Sequence, residues 1–186
     1  MNWTLPRSLE IGGEPRKINA DFRDILDIIE RLNDLDTDDQ TRLYVCLNLF
    51  YDDFKAIPES CWEEAANKMM RFIACGEEQE NHRPKTIDWE QDQQMIIADI
   101  NKAAGQEVRA LPYVHWWTFI SWFNSIGEGQ LSFIVSIREK IRKHQKLSDY
   151  ERDFYRENRS KIDLKRKYTA AEKAEMDEWE KLLSGK

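Results

Sequence analysis

The sequence predicts a mostly α-helical fold: a compact multi-helix domain with a small N-terminal β-hairpin and a C-terminal helical extension. Three observations carry this. Apolar residues recur at i, i+3, i+4 and i+7 through most of the chain. Segments of the form Ser/Thr-x-x-Glu/Gln stand before several of those stripes and read as capping boxes. The single alternating stretch brackets a Gly-Gly pair near the N-terminus, as a tight hairpin requires.

In chain order, Ser8–Asn19 is the hairpin, turning at Gly12-Gly13, with Pro15 confining its second arm to an edge. Asn19 is expected to cap a helix whose stripe is Phe22, Ile25, Ile29 and Leu32. Thr37-Asp-Asp-Gln40 resembles a capping box for a stripe of Leu43, Leu47, Phe50 and Phe54. Ser60-Cys-Trp-Glu63 is a second box, opening a helix with Trp62, Ala66, Met69 and Ile73 that stops at Gly76. Glu77–Lys85 is a polar linker. Asp88 is expected to open a helix with Trp89, Ile96, Ile100 and Ala103 on one side, ended by Gly105. Leu111–Gln130 is the richest segment, with Trp116, Trp117, Phe119, Ile120, Trp122 and Phe123 between Pro112 and Gly127. A helix apolar over so much of its surface is buried or binds something, and Trp116, Phe119, Ile120 and Phe123 are expected in the core. Leu131, Ile134, Ile137 and Ile141 mark a helix that turns basic over Arg138–Lys146. Ser148-Asp-Tyr-Glu151 and Thr169-Ala-Ala-Glu172 are further boxes, the last leading into Met176, Trp179 and Leu183. Seven or eight helices result. The organisation read from this is an acidic helical body with its hairpin over residues 1–146 and a charged helical extension over 147–186.

Hydrophobic residues at 41% suffice for a core, and charged residues at 34% give a strongly solvated surface. The net charge of −7 is unevenly spread. Up to Ile137, 24 acidic residues oppose 13 basic ones; from Arg138, 15 basic oppose 11 acidic. An acidic body argues against the whole chain binding nucleic acid. The runs Arg138–Lys146 and Lys161–Lys167, interleaved with Tyr150, Phe154 and Tyr155, keep a minority nucleic-acid reading open. Interrupting acids and i,i+4 pairs such as Glu157 with Lys161 favour a solvated face.

Little points to reactive chemistry. His82, His115 and His144 lie in separate segments without ligand spacing to Cys or carboxylates, so no metal site is expected. His115, beside Trp116, reads as a satisfied first-turn or core histidine. Asp88, Glu90 and Asp92 read as first-turn acids favoured by the helix dipole. No phosphate-binding loop, dinucleotide fingerprint or nucleophile elbow is present. Cys46, Cys61 and Cys75 form no C-x-x-C pair and read as reduced thiols of a cytosolic protein. The N-terminus lacks a secretory pattern, and no apolar run approaches the roughly 20 residues of a membrane span. No enzyme activity, catalytic residue or cofactor is expected.

Asp88–Gly105 (DWEQDQQMIIADINKAAG), Leu111–Gly127 (LPYVHWWTFISWFNSIG) and Ser136–Lys165 together resemble a tailed-phage protein family. It is named after gene product fifteen of a Listeria siphovirus and occurs in prophages of Gram-positive bacteria. The resemblance covers nearly the whole chain. It implies a gene position just ahead of the tape measure, where tail assembly chaperones are commonly encoded. Such proteins coat the long helical tape measure and help recruit tail tube subunits in the host cytoplasm. The family brings no established catalytic residues. The resulting expectation is a non-catalytic tail assembly chaperone that binds the tape measure protein, with the tail tube protein and a second copy as further partners. The alternatives are a structural tail or connector component of the virion, and a nucleic-acid-binding protein. The partner-binding candidates are Trp117, Trp122, Met176, Trp179 and Leu183.

Overall fold

The computed structural model describes residues 4–76, 86–166 and 168–184, with side chains through Trp179. The linker reading of Glu77–Lys85, with His82, and the side chain of Leu183 lie outside the described residues.

The hairpin forms as expected, with β1 (Ser8–Ile11) antiparallel to β2 (Glu14–Lys17) and Ile11 opposite Glu14. Gly12 and Gly13 carry φ of +59° and +81°, the positive values that a two-residue type I′ turn requires at both centres. The Gly12 N–H donates to the Glu64 carboxylate at 3.0 Å, so the turn is seated on the third helix. Ile11 is buried beneath it.

Residues 18–21 then run extended between two other parts of the chain. The Asn19 N–H donates to Phe50 O at 2.8 Å, and the Trp116 N–H donates to Ala20 O at 2.7 Å. This moves the first cap. Helix α1 (Phe22–Leu32) is capped by Asp21, whose carboxylate accepts from the N–H of Arg23 at 3.0 Å and of Val114 at 2.9 Å. The expected cap, Asn19, is engaged elsewhere: its side chain donates to Leu49 O at 2.8 Å.

Helix α2 (Asp39–Phe50) is capped by Asp38, one residue after the expected Thr37. The Thr37 hydroxyl is committed to Asp34 at 2.6 Å, and the ionised Asp38 is the stronger acceptor for the Thr41 N–H. Phe54 lies beyond α2 in a short 3₁₀ turn, buried. Helix α3 (Trp62–Ile73) carries no side-chain cap, contrary to the Ser60 box. Ser60 sits inside a 3₁₀ turn after Pro58, and a capping side chain needs extended backbone there. The end of α3 is a Schellman turn, with Cys75 N–H to Phe72 O at 3.0 Å and Gly76 N–H to Arg71 O at 2.9 Å.

Helix α4 spans Gln93–Ala104, starting well after Asp88. Asp88 instead closes a turn, accepting from the N–H of Glu90 at 3.0 Å and of Gln91 at 2.8 Å. Gly105 ends α4 at φ +69°. Next come α5 (Trp116–Asn124) and α6 (Gln130–Arg142), then α7 (Asp149–Glu157), the one-turn α8 (Arg159–Ile162) and α9 (Ala170–Ser184). Among the described residues this makes nine helices, because Asn158 interrupts the segment read as one and leaves α8 separate. The Ser148 and Thr169 boxes form reciprocally as expected.

One main core joins the hairpin, α1 to α5 and the start of α6. A smaller cluster of Ile134, Ile137 and Ile162 fastens α7 and α8 to α6. The two halves are stapled by a buried ion pair. The Arg138 guanidinium meets the Asp92 carboxylate through two bonds of 2.6 and 2.9 Å, and donates to Ile162 O, Thr86 O and Lys161 O. Asp92, read from sequence as a first-turn acid, is fully buried.

Candidate partner-binding surfaces

The aromatic helix α5 is held inward. The Trp116 indole N–H donates to Ile73 O and the Trp117 indole N–H to Phe72 O, both at 2.9 Å. The two rings thereby supply indole donors to carbonyls in the last turn of α3, where Phe72 O also accepts from the Cys75 N–H of the Schellman turn. Phe119 stacks on Phe22 with centroids 4.4 Å apart. Trp116 and Phe119 are buried, whereas Ile120 and Phe123, expected in the core, are half-buried at its edge. Among the binding candidates on this helix, Trp117 lies half-buried against Phe72 and Trp122 half-buried against the core.

His115 caps α5 and is itself buried, as its sequence context suggested. Its Nδ1 accepts from the Trp117 N–H at 3.1 Å, so Nε2 carries the proton and donates to Pro6 O at 2.9 Å. Desolvation pushes its pKa below the ordinary histidine value.

The basic run is largely neutralised within the fold. Arg138 is buried on Asp92, and Lys140 faces Glu151. Arg142 and Lys143 both face Glu139, at 2.7 and 3.0 Å. These cations hold the carboxyls of Glu139 and Glu151 down at about 2. Little unpaired positive charge is left there for a phosphate backbone to recruit.

The Cys46 thiol is buried, and that burial raises its pKa, away from the thiolate a nucleophile needs. Cys61 and Cys75 are half-buried. Among the described residues no group of His, Cys, Asp and Glu is placed to hold a metal ion. Nor is any helix among them long and apolar enough to cross a membrane.

Two surfaces among the described residues offer apolar side chains together. Helix α9 is exposed from Lys173 to Trp179, with Met176 50% and Trp179 59% accessible. Its start is tied to the α1–α2 loop by the Ala170 N–H donating to Asp36 at 2.6 Å. The second surface is a groove of about 650 Å³ between α1 and the segment 87–97. Leu26, Ile29, Ile87 and Trp89 form its walls, over a floor of Phe22 and Phe119. Sequence reading missed it because Trp89 was placed on α4 and Leu26 lay off the expected stripe. The available signal was the width of the apolar face of α1, which adds Leu26 and Ile28 to the four stripe positions.

Residues 1–164 match a family model described as Bacteriophage Gp15 protein. The chain belongs to that family. Its matched region contains the hairpin, α1 to α8, the Asp92–Arg138 staple and the groove, and ends before α9 begins at Ala170. No curated protein and no solved structure matched the chain.

Proposed function

We propose that this phage protein is a non-catalytic tail assembly chaperone that binds the tape measure protein in the host cytoplasm. The observation that carries the proposal is α9. This helix lies outside the family-matched region and leaves Met176 and Trp179 in solvent. Leu183 follows at i+7 from Met176, completing the anchor spacing of a helix that docks on another protein. An isolated helix of about 15 residues is marginal in water, so a docking partner would stabilise it. The acidic body suits a protein whose task is to keep an apolar client soluble.

The test is co-expression with the tape measure encoded by the same phage, together with mass spectrometry of purified particles. The proposal expects a soluble complex in lysate and no copies in mature virions. Stoichiometric amounts in the virion would make the chain a structural tail or connector component instead.

A further inference from the structure

We infer that the groove between α1 and the segment 87–97 binds an amphipathic helix whose apolar stripe is flanked by lysine or arginine. The walls Leu26, Ile29, Ile87 and Trp89 are half-buried, and no described side chain fills the space between them. Burying such a surface is favourable at roughly 25 cal/mol per Å² of apolar area. The groove lies between helices, and the one sheet among the described residues is the hairpin seated on α3, so the mode available is helix-in-groove.

Charge selects the occupant. Asp27, Glu30, Asp88 and Glu90 line the rim, against Arg23 and Arg109. Both arginines are already committed: Arg23 to Asp21 and to the carbonyls of Arg109 and Leu111, Arg109 to Glu107. Beyond the groove the surface becomes a polar trough of mixed charge, where Lys165 and Lys173 stand beside Arg31 and Arg166, the last two set against Asp27 and Glu172. The described lining of the groove itself carries four carboxylates against two guanidiniums, so the border of the apolar walls is net acidic.

That sign argues against α9 as the occupant, in cis or from a second copy. Between Ala170 and Ser184, α9 carries five carboxylates (Glu172, Glu175, Asp177, Glu178 and Glu180) against Lys173 and Lys181. An acidic helix on an acidic rim meets like charge, which costs affinity. The complement of the groove is therefore an apolar helical stripe edged with cations. On the chaperone reading, on which the biological identity of the partner rests, that stripe belongs to the tape measure.

The test uses the full chain and three labelled peptides of about 18 residues, five helical turns. One carries leucine and lysine in amphipathic order, one has glutamate in place of lysine, and one is the leucine–lysine peptide scrambled. Fluorescence anisotropy should show the amphipathic lysine peptide binding at least about tenfold tighter than either control. Glu30→Lys/Glu90→Lys alters exposed rim positions and should weaken that binding about fivefold or more. Met176→Glu/Trp179→Glu should leave it unchanged. Equal binding of the scrambled peptide would reduce the effect to bulk attraction, and equal binding of the glutamate peptide would remove the charge argument. Loss through the α9 variant would move the site to α9. A dimer in sedimentation that Ile29→Lys dissociates would assign the groove to a second copy. Each of these four results overturns the inference. The titration contains no tape measure, so its failure leaves the co-expression result standing, and the reverse holds too.

Discussion

Replacing Arg138 by Met removes the cation that neutralises a fully buried carboxylate. Arg138 uses its donors completely: two bonds to Asp92, at 2.6 and 2.9 Å, and three to the carbonyls of Ile162, Thr86 and Lys161, at 2.6, 3.0 and 2.9 Å. With the guanidinium gone, the Asp92 side chain keeps, among the described residues, the Asp88 N–H at 3.0 Å. Breaking a buried pair from one side costs about 3–5 kcal/mol, because an uncompensated charge is left behind. For a chain of this size that corresponds to a fall of roughly 6–20 °C in Tm. Arg138→Lys should recover little, since an ammonium cannot span the carboxylate and three diverging carbonyls. Asp92→Leu strands the guanidinium and should cost a comparable amount. The double variant Asp92→Leu/Arg138→Met removes both charges and should cost less than the two singles added together, by at least about 2 kcal/mol. Urea unfolding followed by tryptophan fluorescence measures all four variants. Additive singles, or a loss under about 1 kcal/mol for Arg138→Met, would refute the view that this pair staples α6 and α8 to the 86–92 turn.

Phe119→Ala should destabilise by about 3–5 kcal/mol, because the ring is buried between Phe22 and Trp116; an unchanged unfolding midpoint would show that the site collapses or is solvated. His115 titrates below its unfolded value of about 6.5, so its contribution is complete above that pH and is lost as pH falls toward its folded pKa. As pH falls below about 6.5, urea midpoints should decline, and His115→Gln should flatten that slope; the carboxyls of Glu107, Glu139 and Glu151, held at about 2, lose their contribution only at lower pH. Truncation after Tyr168 should leave cooperative unfolding intact while weakening capture of the tape measure, and loss of folding would place α9 in the core. Binding to duplex DNA at physiological salt should be no tighter than about 10⁻⁴–10⁻⁶ M; a submicromolar affinity lost on Arg142→Glu/Lys143→Glu would revive the nucleic-acid reading.

The class and most elements were legible from local pattern. Helical spacing placed the nine helices apart from the Asn158 break, and Gly12-Gly13 placed the hairpin, because a turn with φ positive at both centres admits few other residues. The caps were less legible. Asn19, Thr37 and Ser60 are all good capping residues in isolation, yet each is diverted: to Leu49 O, to Asp34, and into a 3₁₀ turn. A cap depends on which acceptor and which backbone angles the surrounding fold leaves available. The groove was hidden for a related reason. Leu26 and Trp89 are 63 positions apart, and only the packing of the 87–97 segment beside α1 brings them to one cavity.

The sequence alone determined that this chain is helical and acidic in its body, since composition and periodicity are local properties, and its motifs carried the resemblance to a phage family. Tertiary structure decided what its distinctive residues do. It turned Trp116 and Trp117 inward to the last carbonyls of α3, withdrew Arg138 from a basic surface to neutralise Asp92, and left Met176 and Trp179 in solvent. Long-range pairing decides burial, and burial sets whether an indole or a guanidinium serves the fold or a partner. A pattern read along one helix carries no information about the element that will lie against it.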